Sequence, residues 1–449
     1  MTAGKLFKAK KPVIPIRAVH LDLKGVPPTA GRLMALLKLF AAARYNAVLV
    51  EWEDMFPWTV DPRFRSPDAY TAEDVARFRE TARREGLEII PLVQCLGHME
   101  TPLKVPGYEH LREEPDSSSV LNPLAPGARD LVMKMVDDVL KLMPDVRYFH
   151  LGGDEARSMG THPQTKAYVA KHGKAALYLQ HVEPILDHLK TRAIRPMLWH
   201  DMMIDWDPDA LKALAARSDL VTWGYSGHPD TPGSHFTTKY IERFHACGIT
   251  LWGATAYKGA DGHNVDRPDI GQRELNALAW AEVAQRYGYA GVIATAWSRY
   301  STDRVQCEPI DAALDALVDT GVILHDGRLP EGGIEACIAA LESAGERERF
   351  EACKTAMEQL AAIRRRGWQT VQSLREQLAL CRMDARRSSS RLASKDLNHL
   401  DRLLKESEPV ADAVRKSFAG LVTPACIEEY LATRLAPLRE ELACLEPNT

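Results

Sequence analysis

Residues 46–52, Asn-Ala-Val-Leu-Val-Glu-Trp, form a short apolar run that ends in an acid and an aromatic residue. Seven similar runs occur within the first three hundred residues, and most are followed by an amphipathic helical pattern. The eight runs are 13–23, 46–52, 87–94, 146–151, 195–199, 220–223, 249–254 and 290–296. The helical patterns between them cover 32–44, 72–85, 128–142, 165–190, 238–247 and 273–287. Near-continuous apolar strands that alternate with helices indicate a parallel sheet buried on both faces.

Eight strand–helix units predict a (β/α)8 barrel, a fold whose usual length is about 250 residues before insertions. A doubly wound open sheet has less support, because no Gly-x-Gly-x-x-Gly follows the first strand. After Asp326 the pattern becomes entirely helical. We therefore predict a catalytic barrel over residues 1–325 and a helical subdomain over 326–449. The subdomain is expected to pack on the barrel or on a second copy of the chain, as in a homodimer.

Composition narrows the class of protein. The 449 residues include 57 Lys and Arg against 61 Asp and Glu, a net charge of −4, and no long basic run, which argues against a nucleic-acid partner. The sequence contains no stretch of about 18 apolar residues, the length that would predict a membrane-spanning helix. The eight cysteines form no Cys-x-x-Cys pair. The basic start is followed by an apolar segment that Pro15 and Arg17 interrupt, unlike a secretory signal. We expect a reduced, cytoplasmic protein.

Polar and aromatic side chains collect where the predicted strands end. In a (β/α)8 barrel the active site lies at the carboxyl ends of the strands. Those ends carry His20, Asp22, Glu51, Glu53, Asp54, Gln94, His98, Asp154, Glu155, His200, Asp201, Trp223, Tyr225, Tyr257, Trp297, Arg299 and Tyr300. Any one of the polar residues could be an ordinary helix cap. Acids, imidazoles and large aromatics at all eight ends favour a sugar-binding site, because aromatic rings pack on the apolar faces of pyranoses.

The segment His150-Leu151-Gly152-Gly153-Asp154-Glu155 is the sharpest motif. In a strand the two acids would point to opposite faces, but the glycines allow the backbone to turn so that both serve one cavity. Neighbouring carboxylates repel, which separates their pKa values and suits one of them to act as an acid. The alternative is an acidic helix N-cap with no catalytic role.

This segment resembles the His-x-Gly-Gly-Asp-Glu signature of glycoside hydrolase family twenty, the β-N-acetylhexosaminidases. Further blocks in the same order resemble an intracellular branch of that family that favours terminal β-linked N-acetylgalactosamine over N-acetylglucosamine. They are the segments 20–25, 51–57, 91–94, 97–100, 198–202, 258–260 and 297–300. The predicted helical tail carries no comparable motif.

The resemblance implies a retaining exo-hydrolase without cofactor or metal, in which the substrate's 2-acetamido oxygen forms an oxazolinium intermediate. Glu155 would be the general acid and base, and Asp154 would orient the acetamido N–H. Tyr225, or second Tyr257, would donate to the acetamido oxygen. The remaining implied substrate contacts are Trp199, Trp223 and Trp297 as walls, Arg17 and Glu308 on outer hydroxyls, and Glu53, Asp54, His98, His150 and Asp201 around the acids. Of these, His98 and His150 are expected to act through the carboxylates.

Two other classes of protein remain open at this stage. A metal-dependent hydrolase could draw its ligands from His20, Asp22, His98, His150, Asp154, His200 and Asp201. A sugar-binding protein without catalysis could keep the tryptophans but would have no need for the Asp154–Glu155 pair.

Overall fold

A computed structural model describes residues 11–231, 237–262, 265–384, 386 and 390–445. The basic start of the N-terminal segment, residues 1–10, lies outside this range. The strands are β1 (Ile16–Asp22), β2 (Ala47–Glu51), β3 (Glu88–Leu92), β4 (Arg112–Glu114), β5 (Ser117–Leu121), β6 (Tyr148–His150), β7 (Arg195–Trp199), β8 (Asp219–Trp223), β9 (Leu251–Lys258) and β10 (Gly291–Ala296). Eight of them close into a parallel barrel in the order β1-β10-β9-β8-β7-β6-β3-β2. The predicted (β/α)8 fold is confirmed, and β4 and β5 form a hairpin outside the barrel.

The helices agree with the predicted patterns, with one division that the sequence reading missed. They are α1 (Ala30–Ala42), α2 (Ala72–Arg84), α3 (Glu100–Leu103), α4 (Ala128–Leu142), α5 (Pro163–His172), α6 (Lys174–Lys190), α7 (Pro208–Ala215), α8 (Thr238–Ala246), α9 (Ile270–Tyr287), α10 (Leu314–Asp326), α11 (Gly333–Ser343), α12 (Arg347–Met383), α13 (Ser390–Ser417) and α14 (Pro424–Leu445). The single helix predicted over 165–190 is two, because Gly173 has a φ of +86° and ends α5 before α6 begins.

The register between the barrel strands determines which strand ends lie together at the site. Asp22 pairs with Glu51, Glu51 with Leu92, and Leu92 with His150, so β1, β2, β3 and β6 end at the same level. The barrel interior below this level is filled by buried side chains from every barrel strand except β6, among them Leu49, Ile90, Met197, Trp252 and Ile293. The barrel interior is therefore a packed core, and the loops after the strand ends lie on top of it.

The helical tail packs on the barrel. Buried residues of α12, α13 and α14 form one apolar cluster with Val26 and Ala312 of the barrel region.

Among the described residues no helix is long and apolar enough to cross a membrane. The division at residue 325 into two domains, and a homodimer, stay predictions.

Asp266 connects this tail to the loop between β9 and α9. Its carboxylate is buried, and it accepts hydrogen bonds from the Tyr430 hydroxyl at 2.7 Å and from Arg434 Nε at 3.2 Å, both on α14. Arg364 of α12 donates to its other oxygen. Arg434 also donates to the backbone carbonyl of Gln306, in the loop after β10. One carboxylate thus holds two tail helices against loops that lead to the carboxyl face of the barrel.

We expect Asp266→Asn to lower the free energy of unfolding by about 3 kcal/mol, because it removes the buried negative charge to which Arg364 and Arg434 both donate. Thermal unfolding followed by circular dichroism measures the change. Asp401→Asn is the matched control, since Asp401 pairs with Lys405 on the exposed surface of α13, where such a pair contributes less than about 1 kcal/mol. Equal melting temperatures for the two variants would contradict the role given to Asp266.

Candidate active site

A cavity of about 1000 Å³ opens at the carboxyl ends of the barrel strands. Its walls come from the loops after β3, β6, β8, β9 and β10 and from the β4–β5 hairpin. The predicted site residues that line it are His98, Asp154, Glu155, Trp223, Tyr225 and Trp297. Six side chains from the ends of four strands, β3, β6, β8 and β10, therefore meet in one place.

The two acids reach the cavity because the backbone turns sharply after β6. Gly152 and Gly153 have φ angles of +60° and +79°, and Glu155 itself has +45°. A side chain at Gly152 would collide with the Gln94 amide, so this position also requires the close approach that only glycine permits. The glycine turn predicted from the sequence is present, and it directs both carboxylates to one side.

His98 bridges the two acids. Its Nε2 lies 3.6 Å from Asp154 Oδ2 and 3.5 Å from Glu155 Oε2. Burial lowers the pKa of His98, but the charge of Asp154 and the hydrogen bonds to Asp154 and Glu155 together outweigh it, so the net pKa lies well above its ordinary value. The interaction with His98 in turn lowers the pKa of Glu155, and Arg157 adds to this effect. His98 is therefore a cation that holds both carboxylates in place.

Asp201 fixes the loop that carries Glu155. Its Oδ2 accepts from the Glu155 backbone N–H at 2.9 Å, and its Oδ1 accepts from Trp223 Nε1 at 3.4 Å. Burial and the nearby Asp154 carboxylate raise the pKa of Asp201 to about 7. Asp201 thus links the acid pair to the aromatic wall from behind.

Aromatic rings form the opposite wall. Tyr225 stacks on Trp223 with ring centroids 5.5 Å apart, and it lies 6.0 Å from Trp297. Trp199 is buried behind this wall, 6.2 Å from Trp297 and 4.3 Å from the His150 ring. Burial, with Asp154 as the next cause, raises the pKa of Tyr225 well above its ordinary value, so its hydroxyl is a hydrogen-bond donor at neutral pH.

His150, Glu53 and Asp54 lie beneath or beside the cavity rather than in its lining. His150 Nδ1 accepts from the Gly152 N–H at 2.9 Å, and burial lowers its pKa to about 3, so it is a neutral support for the glycine turn. Glu53 accepts from the Thr101 hydroxyl at 2.6 Å, and burial raises its pKa to about 8. Burial also raises the pKa of Asp54. Direct contact with substrate, as predicted for Glu53 and Asp54, has no support from their positions, and His150 acts on the acid pair through the backbone of the glycine turn.

Three residues that the sequence predicted to contact substrate lie away from the cavity. Arg17 is the second residue of β1, about 16 Å along the strand from Asp22, and its guanidinium donates to the carbonyls of Ile14 and Arg44 at the far end of the barrel. Tyr257 lies three residues after the inward-facing Ala254, so strand alternation turns it outward into the core between strands and helices.

The third is Glu308, which is fully buried. Its Oε1 accepts from the Gly259 N–H at 2.6 Å, so it joins the loop after β10 to the end of β9. Solvent and substrate cannot reach a carboxylate with no exposed surface, which is why it cannot bind an outer sugar hydroxyl here.

The structure adds lining residues that the sequence did not single out, among them Glu100, Arg157, Asp303, Arg304 and Asp116–Ser119 of the β4–β5 hairpin. A signal for the hairpin was present, because Glu114-Pro115-Asp116-Ser117 has the composition of a tight turn. Arg157 and Arg304 carried no such signal, since isolated arginines in loops are common on any surface.

The geometry also bears on the metal alternative. Within the described ranges, no group of three or more His, Cys, Asp or Glu side chains is placed to hold a metal ion. Lys24 Nζ lies 3.0 Å from Asp22 and 2.8 Å from Glu51, so an ammonium already neutralises the acids at the ends of β1 and β2.

Comparisons with known proteins agree with the geometry. Residues 44–231 match the catalytic domain of glycosyl hydrolase family 20. Hexosaminidase D of Bos taurus is 34% identical over 322 residues, covering 69% of this chain and 92% of that protein. Hexosaminidase D of Homo sapiens is 33% identical over 327 residues, covering 70% and 67%.

The solved structure of Flavobacterium johnsoniae chitobiase superposes with a TM-score of 0.57 at 15% identity, covering 97% of this chain and 72% of that one. At this identity the likeness shows the fold alone. The two relatives share a third of their residues with most of this chain, the barrel carries the predicted acid pair, and the family domain spans that pair. The chain is therefore a glycoside hydrolase that belongs to glycosyl hydrolase family 20, the β-hexosaminidases.

Proposed function

We propose that the protein is a retaining exo-β-N-acetylhexosaminidase that removes terminal β-linked N-acetylgalactosamine or N-acetylglucosamine with help from the substrate's own acetamido group. The observation that carries this proposal is the adjacent Asp154–Glu155 pair, bridged by His98 and faced by Tyr225 and two tryptophans. The names of the two relatives support the same class of substrate.

Each residue then has a defined role in the reaction. Glu155, partly exposed beside the cavity, protonates the glycosidic oxygen and later takes a proton from the attacking water. Asp154, which is nearly buried, accepts the acetamido N–H and stabilises the positive charge that develops as the acetamido oxygen attacks the anomeric carbon. Tyr225 donates its hydroxyl proton to that oxygen and holds it in line. An adjacent pair suffices because the nucleophile comes from the substrate, so no enzyme carboxylate is needed across the ring.

The aromatic wall encloses the acetamido group. Trp223, Tyr225 and Trp297 present ring faces and edges to one side of the cavity, and Trp199 supports them from behind. This enclosure excludes water from the methyl group and restrains the acetamido oxygen near the anomeric carbon, which lowers the entropy lost in cyclisation.

A cytoplasmic location is part of the proposal. All eight cysteines are free thiols, which is typical of proteins in a reducing compartment. Fractionation of the source cells, with activity measured in each fraction, tests this part.

We expect 4-nitrophenyl β-N-acetylgalactosaminide and β-N-acetylglucosaminide to be hydrolysed at least about 100-fold faster than the matching β-glycosides that carry a 2-hydroxyl, because only the acetamido group supplies the nucleophile. The N-trifluoroacetyl analogue is the sharper control, since fluorine weakens the acetamido oxygen as a nucleophile without removing it. Comparable rates for the acetyl and trifluoroacetyl substrates would contradict the substrate-assisted mechanism. Comparison of the two acetylated substrates gives the preference between the amino sugars.

A further inference from the structure

Arg157 lies at the mouth of the cavity, next to the proposed general acid. Along this loop the side chain of Asp154 is 9% exposed, that of Glu155 35% and that of Arg157 82%. The three residues therefore form a path from the cavity floor to solvent. Arg157 Nη2 donates to Glu155 Oε1 at 2.7 Å.

This position is on the leaving-group side of the site. If the function proposed above is correct, Glu155 protonates the glycosidic oxygen, so the departing sugar lies where Glu155 faces solvent. Arg157 is the residue that contacts Glu155 from that side. Other charges on the rim, Asp116, Asp303 and Arg304, come from the β4–β5 hairpin and the loop after β10.

The pairing of Arg157 changes during the reaction. Glu155 can act as an acid only when it holds a proton, and in that state it no longer neutralises Arg157. His98 faces Glu155 from the cavity side and is also paired with Asp154. An exposed guanidinium would then lie beside the leaving group without its counter-ion, and a carboxylate or sulfate on that group is the partner it suits best.

We propose that Arg157 gives the enzyme a preference for anionic leaving groups, such as a hexuronate as the second sugar of the substrate. Binding such a group also draws the guanidinium from Glu155 and so favours the protonated acid that catalysis requires. The two effects reinforce each other through linkage, since whatever binds the protonated form better also promotes protonation.

The test compares two aryl glycosides in four proteins. The kcat/KM values for 3-carboxy-4-nitrophenyl and 4-nitrophenyl β-N-acetylgalactosaminide are measured for the wild type, Arg157→Gln, Arg157→Lys and Arg192→Gln. The intrinsic reactivities of the two phenols cancel when the ratio is compared between proteins. Arg192 is the matched control, because it lies just before β7 on the opposite face of the barrel and pairs with Asp137 there.

We expect the ratio of kcat/KM for the carboxylated substrate to kcat/KM for the neutral one to fall by about fivefold in Arg157→Gln, which is the effect expected from losing one partly exposed ion pair. The ratio should be partly restored in Arg157→Lys. Arg192→Gln should keep the wild-type ratio. In the wild type, 0.5 M NaCl should reduce the ratio by screening the pair. The alkaline limb of the kcat/KM profile should also move to higher pH in Arg157→Gln, since loss of the guanidinium raises the pKa of Glu155; a purely structural role would not move it.

An unchanged ratio in Arg157→Gln, with activity on the neutral substrate retained, would overturn this inference and leave the proposed function intact. Absence of hydrolysis of both glycosides by the wild type would instead overturn the proposed function, and the inference with it.

Discussion

Glu155→Gln is expected to lower kcat/KM for 4-nitrophenyl β-N-acetylgalactosaminide by about 1000-fold, within the range that general acid–base catalysis contributes. Glutamine keeps the size of the side chain and can still accept from Arg157, but it cannot give a proton to the glycosidic oxygen. Glu155 is also the only carboxylate of the adjacent pair whose side chain is appreciably exposed, which suits contact with a leaving group. Steady-state kinetics of the purified variant measure the effect.

The leaving group and an added nucleophile separate the two tasks of Glu155. A 2,4-dinitrophenyl glycoside needs little protonation, so its first step should remain fast in Glu155→Gln and its overall rate should be limited by the attack of water. Sodium azide needs no general base and should therefore accelerate the variant while leaving the wild type unchanged. Wild-type activity on the 4-nitrophenyl substrate would remove Glu155 from the role of acid.

Asp154→Asn is expected to lower kcat for the same substrate by about 100- to 1000-fold, the loss seen when one preorganised electrostatic contact to a transition state is removed. Asparagine can still take part in a hydrogen bond, but it has no charge to stabilise the positive charge of the forming oxazolinium ring. The cost is large because Asp154 is nearly buried, where an ionic interaction is weakly screened.

The separate effects on KM, kcat and melting temperature distinguish this role of Asp154 from disruption of the fold. KM should change less than kcat, because the contact strengthens as charge develops in the transition state. The melting temperature of the variant should stay within a few degrees of the wild type, which would show that the substitution leaves the fold intact. Activity above about a tenth of the wild-type value would contradict the role given to Asp154.

Much of this site followed from local patterns. The apolar runs gave eight strands, and all eight are barrel strands, because burial on both faces leaves a signal in consecutive residues. Gly152 and Gly153 before two acids predicted a turn that directs both side chains to one cavity, and the φ angles agree. Backbone conformation over a few residues is a local property, so the sequence carries it directly.

Other assignments depended on how far along its strand a residue lies and on which face of the strand carries its side chain. Arg17 and Asp22 are close in the chain, yet they lie near opposite ends of β1, and the hydrogen bonds of the Arg17 guanidinium to two backbone carbonyls hold it at the end away from the site. Tyr257 and Tyr225 were both reasonable partners for the acetamido oxygen. Strand alternation directs Tyr257 into the outer core, and the loop after β8 brings Tyr225 to Trp297.

The sequence by itself determined the barrel and the acid pair, because strand periodicity, glycine turns and adjacent carboxylates are local patterns of a few residues. The class of chemistry came from the family resemblance that these motifs carry. Only the tertiary structure decided that His98 bridges the acids, that Glu308 is buried, that Arg157 stands at the mouth and that Asp266 holds the helical tail to the barrel. These contacts join distant segments or depend on which side of a loop faces solvent, and both are fixed by packing of the whole chain rather than by any local pattern.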